Sequence, residues 1–361
     1  MNILFFGTYD VRRHPRVRVL QEGFTAHGDR VLECNVPLGL ETAWRVRILQ
    51  RPWLLPLLLT RMAMAWARLA RRARRLPGVD AVVVGYLGHF DVHLARRLWR
   101  RTTIALDHLI SARDTAEDRG ASSNWVERIL GQLDEAALRA ADVVCIDTRE
   151  HRETLPAWAR PRAVIVPVGA PARWFRRPQP RADDTLAVAF FGLFTPLQGA
   201  PVVGKAIALL REEAIRFTMI GRGQDFAAAR AAAAANPNVE WRDWVDGDEL
   251  PDLVAAHDVC LGIFGTSPKA RRVVPNKVFQ GAAAGTAIVT SATPPQQRAF
   301  EEAAVFVNPG DSGALADALA ALARDRERVE TLRVAAYARA AALFRPETVV
   351  EPLRERLVTK T

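Results

Sequence analysis

The chain has 361 residues, of which 49% are hydrophobic and 25% are charged, so it has the length and the core material for two globular domains. That composition excludes a disordered or fibrous protein, and three isolated cysteines argue against a disulfide framework and for a reduced, cytoplasmic protein. The net charge of +10, carried mainly by arginine, predicts an anionic partner: a nucleotide, a nucleic acid or a membrane surface.

Short apolar runs alternate with helical segments in the first half of the chain. Met1 to Gly7 is predicted to be a strand rather than a signal peptide, and a helix is predicted from about Pro15 to His27. Unbroken runs rich in Val, Ile and Leu favour a parallel sheet covered by helices on both faces. Its predicted strands lie at residues 2–8, 30–36, 79–86, 102–108, 141–148 and 162–169.

The most hydrophobic segment, residues 53–76, has two interpretations. Pro56 and Arg61 shorten its apolar run well below the length that spans a bilayer. Residues 61–75 then continue as a basic amphipathic helix. Such a helix predicts either peripheral contact with an anionic membrane or a core-facing helix with a solvated arginine face.

A Pro- and Arg-rich stretch, residues 176–184, is predicted to be a linker between a domain of residues 1–175 and a second domain of residues 185–345. The last segment, residues 346–361, is predicted to be a terminal helix that can pack back on the first domain. Strands of the second domain are predicted at residues 186–193, 215–223, 239–244, 258–264, 286–291 and 303–311.

The predicted fold class is therefore α/β, with two Rossmann-like, doubly wound domains. Ligands of such domains bind beyond the carboxyl ends of the parallel strands. We expect these two edges to face a central cleft, which suits a reaction that joins two substrates while it excludes water.

Four segments of the second half carry a family resemblance: "FFGLFTPLQGAPVVGKAIALL", "FTMIGRGQD", "VEWRDWVDGDELPDLVAAHDVCLGIF" and "PNKVFQGAAAGTAIVTS". In order and spacing, this half resembles the nucleotide-sugar domain of GT-B glycosyltransferases, above all the retaining family 4 (group 1). Residues 163–175, "AVIVPVGAPARWF", resemble the stretch between the domains of that family. The first half is similar mainly in its opening strand and Gly loop.

The family's Glu-x7-Glu motif is degenerate in this sequence. Its second Glu, which the family uses to bind the nucleotide ribose, is Gln280 here, and its first Glu is Arg272. A neutral Gln can still accept a hydrogen bond from a ribose hydroxyl. Without charge assistance the contact weakens from about 1.5–3 to about 0.5–1.5 kcal/mol.

The family's Arg and Lys on the first loop of this domain, which pair with the diphosphate, are Leu193 and Gln198 here. Gly192 and Gly199 of that loop remain. A diphosphate still needs positive charge, and a later basic loop precedes a helix predicted from about Asn276. We predict that the cations have moved to this loop, at Lys269, Arg271, Arg272 and Lys277; the alternative is a solvated basic loop.

Three more residues are predicted near the donor by the same resemblance. Gly221 and Gly223 form a strand-end loop, which is not a dinucleotide fingerprint because Phe226 stands where a third Gly is needed. Trp244 either stacks on the nucleotide base or belongs to the core.

Asp246 and Asp248 look like a D-x-D metal motif, but they precede a predicted helix and are interpreted as its cap. D-x-D metal sites belong to another glycosyltransferase fold, so the prediction is that the protein needs no metal and no cofactor, only a nucleotide sugar as donor.

Acceptor-side residues are predicted at strand ends of the first domain. Gly7 and Thr8 follow the first strand, and Arg12 and Arg16 offer charge for an anionic acceptor. His89 lies in the Gly-bracketed loop after the third predicted strand. The alternative for the arginines is a surface position beside the helix.

Catalytic residues are predicted at the end of the next strand, where the family usually has a His close to the reacting sugar. His108 matches that position and Asp107 precedes it. Adjacent strand residues point to opposite faces, so only one of the two is expected to face the ligand. Either could serve as general base if the enzyme inverts the anomeric configuration, and each could instead be a core or capping residue.

The leading hypothesis is a metal-independent, retaining hexosyltransferase-like enzyme of a bacterial type. Its partners are a nucleotide sugar and a lipid-linked, polysaccharide or small-molecule acceptor. It is expected to be cytoplasmic, either free or peripheral to the inner face of the membrane. The alternatives are a degenerate GT-B protein that binds nucleotide without catalysis and, because of the pI of about 10.4, a nucleic-acid-binding protein, although no nucleic-acid motif is present.

Overall fold

The computed structural model describes the chain except for residues 12–14, 40–52, 54, 87, 110, 119–123, 180–183 and 361. The described chain divides into two compact units, each with its own parallel sheet. Unit 1 comprises Met1–Pro167 and the terminal segment from Pro346, and unit 2 comprises Val168–Arg345.

Unit 1 contains a six-stranded parallel sheet in the order β2-β1-β3-β4-β5-β6. The register pairs Leu4 of β1 with Leu32 on one side and with Val82 on the other. The strands are β1 (Asn2–Gly7), β2 (Arg30–Asn35), β3 (Ala81–Val84), β4 (Thr103–Asp107), β5 (Val143–Ile146) and β6 (Ala163–Ile165). The helices are α1 (Pro15–Ala26), α2 (Leu55–Ala73), α3 (Asp91–Leu98), α4 (Ala112–Asp118), α5 (Asn124–Ala140), α6 (Arg149–Thr154) and, at the end of the chain, α14 (Pro346–Val358).

The alternation of strand side chains divides the core of unit 1 into two layers. Ile3 and Phe5 of β1 point to the layer that includes Phe24 of α1, whereas Leu4 and Phe6 point to the layer that includes Leu69 of α2. Both faces of the strand are therefore buried, which explains why its sequence is a continuous apolar run instead of an alternating one.

The terminal helix α14 packs against α1 within unit 1. The ring of His27 lies 2.9 Å from the carbonyl oxygen of Glu347. A Cβ added to Gly23 of α1 would lie 2.2 Å from the carbonyl oxygen of Pro346, so the two helices approach as closely as a residue without a side chain permits.

Unit 2 contains a second six-stranded parallel sheet, in the order β12-β11-β10-β7-β8-β9. Its strands are β7 (Leu186–Phe191), β8 (Ile215–Ile220), β9 (Val239–Arg242), β10 (Val259–Leu261), β11 (Ala287–Ser291) and β12 (Ala304–Val307). Its helices are α7 (Ala200–Leu209), α8 (Phe226–Ala232), α9 (Leu250–Ala255), α10 (Asn276–Ala283), α11 (Pro294–Phe300), α12 (Ser312–Arg324) and α13 (Arg326–Leu343).

The predicted α/β class with two parallel sheets is confirmed. The chain enters unit 2 at Val168, before the predicted boundary, because the next residues pack there: the amide of Ala170 donates to Phe344, and Trp174 stacks on Phe191. In the predicted linker, Arg176 is ion-paired with Asp252, and residues 180–183 lie outside the described residues.

The predicted basic helix corresponds to α2 and the turn that follows it. Met62, Ala65 and Leu69 are buried, whereas its arginines are exposed. Among the described helices, none combines the length and the apolar character that crossing a bilayer requires.

Candidate functional site

The loops that follow β7 and β8 in unit 2 are in close contact. Gly221 has a φ of 128°, and a Cβ added to it would lie 2.0 Å from the carbonyl oxygen of Gly192. A Cβ on Gly223 would lie 2.4 Å from the carbonyl oxygen of Phe194. Only glycine fits at these two positions, so the loops form a surface of exposed backbone at the carboxyl edge of the sheet.

The first loop of unit 2 is also fixed against the segment after β10. Gly199 adopts the left-handed conformation at a φ of 66°, and a Cβ there would lie 2.5 Å from the carbonyl carbon of Phe264. The tight loop predicted from Gly192 and Gly199 is therefore present, although Leu193 and Gln198 stand where the family has cations. Leu193 is largely exposed.

Lys277 lies at the second position of α10 and reaches this first loop. Its side chain is only 4% exposed, and Nζ lies 3.5 Å from the ring centroid of Phe190. A Cβ added to Gly192 would have Cε and Nζ of Lys277 as its nearest neighbours, at 3.7 and 3.8 Å. Within the described part of the chain, Nζ has no hydrogen-bond partner.

This environment changes the titration of Lys277. Burial lowers the pKa of its ammonium group to about 7, and the nearby thiol of Cys260 opposes the shift only in part. A buried ammonium without a hydrogen bond is unfavourable in the free protein. An anion at the carboxyl edge would restore both its charge and its hydrogen bonds.

The other residues predicted to bind the donor differ in how exposed they are. Gln280 is buried one turn further along α10, which begins at Asn276 as predicted. Arg271 is exposed and Arg272 is half-buried in the preceding loop. Trp244 is 75% exposed after β9, so its alternative as a core residue is wrong, and base stacking stays a prediction.

Asp246 and Asp248, the pair that looks like a D-x-D motif, have a local structural role. The Asp246 carboxylate accepts a hydrogen bond from the amide of Asp248 at 2.8 Å, and Asp248 is ion-paired with Arg173. Helix α9 begins at Leu250, and the carbonyl oxygen of Asp246 accepts from the amides of Leu250 at 2.9 Å and Glu249 at 3.1 Å. Asp246 therefore binds free N–H groups at the start of the helix, as the sequence interpretation expects.

At the carboxyl edge of the unit 1 sheet, Thr8 is hydrogen-bonded to Asp91, the first residue of α3. Its amide and its hydroxyl both donate to Oδ2 of Asp91, at 2.7 and 2.8 Å, and the indole of Trp66 donates to Oδ1 at 2.9 Å. Gly7 has a φ of 146°, which brings its backbone against the same carboxylate. Arg12, predicted beside these residues, lies outside the described residues.

Arg16 and Asp107 form a buried ion pair, with Nε 2.7 Å from Oδ1, and Arg16 also donates to the carbonyl of Pro167 at 2.8 Å. This corrects the sequence interpretation, in which Arg16 offers its charge to an acceptor and Asp107 is a catalytic candidate. The charge of each is already compensated inside unit 1. Burial raises the pKa of the Asp107 carboxyl, and Arg16 offsets only part of that effect.

The side chain of His108 contacts different residues from that of Asp107, as expected from the alternation of strand side chains. Its ring packs edge-on against His89, with ring centroids 5.4 Å apart, and Nε2 of His89 lies 2.9 Å from Oδ1 of Asp134. Burial lowers the pKa of His108 to about 3, so its imidazole is neutral at neutral pH. On its other side lies the ring of His151, which contacts Asp147 at 2.8 Å.

Asp134 was not predicted from the sequence. It lies on α5 at a position of the apolar stripe that also includes Val126, Ala137 and Leu138. A carboxylate at helical spacing among buried apolar residues is a signal that could have identified it, because buried acids need partners.

Comparisons with known proteins agree with this architecture. Residues 185–325 match the family model described as "Glycosyl transferases group 1". The two units with parallel sheets have the fold of GT-B glycosyltransferases, and the resemblance stated from the sequence is confirmed. Assignment to family 4 stays a prediction.

Solved structures of this fold align with the whole chain. Sucrose-phosphate synthase from Thermosynechococcus elongatus is 16% identical, with 100% of both chains covered and a TM-score of 0.74. Anabaena HepE in complex with UDP and glucose is 15% identical, covers 99% of this chain and 100% of its own, and has a TM-score of 0.71. A glycosyltransferase from Rickettsia africae is 12% identical, with 99% and 98% covered and a TM-score of 0.64. At these identities the likeness shows the fold, and no curated protein matches the sequence significantly.

Proposed function

We propose that the protein is a glycosyltransferase that transfers a sugar from a nucleotide diphosphate sugar to a hydroxyl-bearing acceptor. The match of residues 185–325 and the shared fold support a nucleotide-sugar site in unit 2. HepE was solved with UDP-glucose as well as with UDP and glucose. A uridine nucleotide is therefore the first donor to test.

The observation that carries the proposal is the environment of Lys277. A lysine that is almost fully buried and lacks a hydrogen-bond partner among the described residues is rare without a functional reason. Its Nζ lies beside Gly192, on the loop where the family uses cations for the diphosphate. Lys277 therefore supplies, from a helix, the charge that the loop itself has lost.

The proposed mechanism relies on fixed charge and position. Lys277 and the amide groups at the start of α10 stabilise the diphosphate as it leaves with increasing negative charge. Gln280 is proposed to bind the ribose and Trp244 to stack on the base, with Arg271 and Arg272 as further cations. In this mechanism no metal is needed at the diphosphate, and the anomeric configuration is retained.

Unit 1 is proposed to bind the acceptor. Thr8, His89 and His108 lie at the carboxyl ends of β1, β3 and β4, where ligands of such sheets bind. His108 is the better candidate for contact with a sugar hydroxyl, because Asp107 is occupied by Arg16. A lipid-linked sugar, a polysaccharide or a small molecule would suit such a site, and a hexose is the proposed donor sugar.

The donor site is tested by thermal unfolding with UDP, GDP, dTDP, ADP and their common sugar conjugates, each with and without EDTA. One nucleotide class should stabilise the protein by about 2.7 kcal/mol at 100 times its dissociation constant, and the effect should survive EDTA. Lys277→Met should weaken that nucleotide about 10- to 150-fold, which corresponds to a lost charge-assisted hydrogen bond of about 1.5–3 kcal/mol. Lys205→Met, at an exposed lysine on α7, should bind like the wild type.

The alternatives give different results in the same experiment. A nucleotide that binds but whose sugar is neither transferred nor hydrolysed favours a GT-B protein without catalysis. Stabilisation by none of the nucleotides, together with salt-sensitive retention on RNA or DNA, favours a nucleic-acid-binding protein. Equal affinity of Lys277→Met and the wild type for the nucleotide would contradict the assigned role of Lys277.

A further inference from the structure

Three side chains of unit 1 converge on one point, and two of them also belong to the proposed acceptor site. They are His89 from the loop before α3, His108 from the end of β4, and Asp134 from α5, and we call them the His89 cluster. One ligand atom from each lies within 4.8 Å of the others. The three residues are 5%, 3% and 8% exposed, so the cluster lies inside unit 1 and is not part of a solvated surface.

Two ring nitrogens of the cluster are buried without a hydrogen bond. Across the residues that the structure describes, neither Nε2 of His89 nor Nδ1 of His108 has such a partner. Nε2 of His89 lies 2.9 Å from Oδ1 of Asp134, but the two are not aligned for a hydrogen bond. Native structures rarely leave such groups unsatisfied, at about 1–3 kcal/mol each, so a missing ligand is the simplest explanation.

The carboxylate of the cluster is held in place by other contacts. Its Oδ2 accepts hydrogen bonds from the hydroxyl of Ser111 at 2.7 Å and from the amide of Arg113 at 3.2 Å, and Oδ1 accepts from the amide of Ala112 at 2.9 Å. These are the outer contacts that normally orient a metal-bound carboxylate, and they leave one lone pair of Oδ1 available.

We propose that His89, His108 and Asp134 bind one divalent transition-metal ion of the zinc type. Two imidazoles and one carboxylate are a common ligand set for zinc and other first-row transition metals, whereas magnesium and calcium prefer oxygen ligands alone. The ion would give Nδ1 of His108 a partner and would replace the poorly aligned contact between Nε2 of His89 and Asp134. Three protein ligands leave a fourth position for water or for an oxygen of a bound molecule.

The site differs from the Asp246 and Asp248 pair, which the sequence interpretation treats as a helix cap. Its ligands come from three elements, so the ion would cross-link the loop after β3, the end of β4 and α5 at the carboxyl edge of the unit 1 sheet. An open coordination position at this edge could bind a hydroxyl or phosphate oxygen. Metal binding needs only unit 1 residues and does not depend on the proposed transfer activity.

The test is a metal titration of the full chain, produced without a polyhistidine tag and stripped with EDTA. Zn²⁺ is titrated with elemental analysis of the dialysed protein, and Co²⁺ is titrated in parallel because its visible absorption reports the coordination geometry. The wild type should bind one ion per chain. His89→Gln and His108→Gln should lose it, and Ser111→Ala should weaken it about 10- to 100-fold.

The matched control is His93→Gln, a half-buried histidine on α3 outside the cluster, which should bind the ion like the wild type. Stripped His89→Gln should unfold at the same temperature as the stripped wild type, and Zn²⁺ should raise the unfolding temperature of the wild type alone. Failure of the stripped wild type to bind either ion would overturn the proposal. So would unchanged binding by both His89→Gln and His108→Gln, or displacement of zinc by a small excess of Mg²⁺.

Discussion

Lys277 shows how one residue can be unfavourable for folding and favourable for binding. Its ammonium group has lost its water, and the face of Phe190 compensates only in part. Because folding lowers its pKa from 10.5 to about 7, the unfolded chain holds this proton more tightly. The contribution of Lys277 to stability therefore rises from about pH 7 to about pH 10.5.

Donor binding should reverse this proton balance. A diphosphate beside Nζ favours the charged form, so binding near pH 8 should take up a proton. Nucleotide affinity should fall as the pH rises above about 7, by at most about tenfold per pH unit. Calorimetry in two buffers of different ionisation enthalpy measures the uptake directly.

Lys277→Arg separates this effect from other pH effects, because arginine stays charged throughout the range. Its nucleotide affinity should lose the pH dependence that Lys277 causes. Among the described residues, the titratable group that acts on Lys277 is the thiol of Cys260, whose pKa burial raises to about 12, so it stays neutral here. A wild type that binds nucleotide without proton uptake would contradict this assignment.

Arg16 and Asp107 form the opposite kind of buried charge, because each is the partner of the other. Asp107→Asn leaves a buried guanidinium without its carboxylate and should lower the free energy of unfolding by about 3–5 kcal/mol. The double variant Arg16→Met, Asp107→Leu should lose much less than its two single variants, Arg16→Met and Asp107→Leu, lose together, because apolar residues often replace a buried pair at little cost. The wild type, these two single variants and the double variant form a double-mutant cycle of four proteins. Urea denaturation of the four proteins measures this.

An exposed ion pair provides the control for the variants of the buried pair. Arg139 and Glu135 face each other one turn apart on α5, and both are largely exposed. Glu135→Gln should change the free energy of unfolding by less than about 0.5 kcal/mol. If Asp107→Asn proves equally mild, the buried pair does not have the structural role described here.

Among the elements, the strands were the most predictable from sequence. Runs such as residues 2–7 and 186–191 are apolar because both faces of a parallel strand are buried, and that pattern is local. The meeting of Arg16 with Asp107, or of Lys277 with Gly192, depends on contacts between residues far apart in the chain. Asp134 was missed for the same reason, since its partners His89 and His108 come from other elements.

Two helical glycines in unit 1 test the packing of α1 against α14. A Cβ on Gly23 would lie 2.2 Å from the carbonyl oxygen of Pro346 and 2.8 Å from the side chain of Val350, whereas a Cβ on Gly131 of α5 would meet no described atom within 4 Å. Gly23→Ala should therefore destabilise the protein by about 1–3 kcal/mol through overpacking. Gly131→Ala should stabilise it by about 0.5–1 kcal/mol through helix propensity.

Chemical denaturation measures the free energy of unfolding of both variants. The two changes can be compared directly, because each variant adds one methyl group to a helix. Equal stabilisation by both would mean that α14 is not packed on α1 as described.

At the scale of the whole molecule, the chain builds unit 1 from its two ends. The segment from Pro346 completes the layer that contains β1 and α1, with Val349, Val350, Leu353 and Leu357 fully or almost fully buried. Unit 2 has a separate core around β7, β8 and β10. Each unit thus has its own hydrophobic core, which the length and composition of the chain suggested.

The net charge of +10 is also a property of the whole molecule, and α2 concentrates part of it. Leu57, Leu59 and Met64 of this helix are exposed, in addition to Trp53 just before it. Exposed arginines follow at positions 61, 68, 71, 72, 74 and 75. Apolar and basic side chains together are typical of helices that bind anionic membrane surfaces.

Peripheral membrane binding through α2 is therefore predicted to require anionic lipid and this helix in particular. The protein should sediment with vesicles that contain phosphatidylglycerol and not with pure phosphatidylcholine, and salt should release it, at about 1 kcal/mol per basic residue near the surface. The variant Arg68→Glu, Arg71→Glu, Arg75→Glu should abolish binding. The variant Arg211→Glu, Arg230→Glu, Arg328→Glu has the same net charge but reverses exposed arginines of unit 2, so it should still bind. Equal loss by both variants would assign the effect to the total charge of the protein, and the arginines of α2 would then be a solvated face and no more.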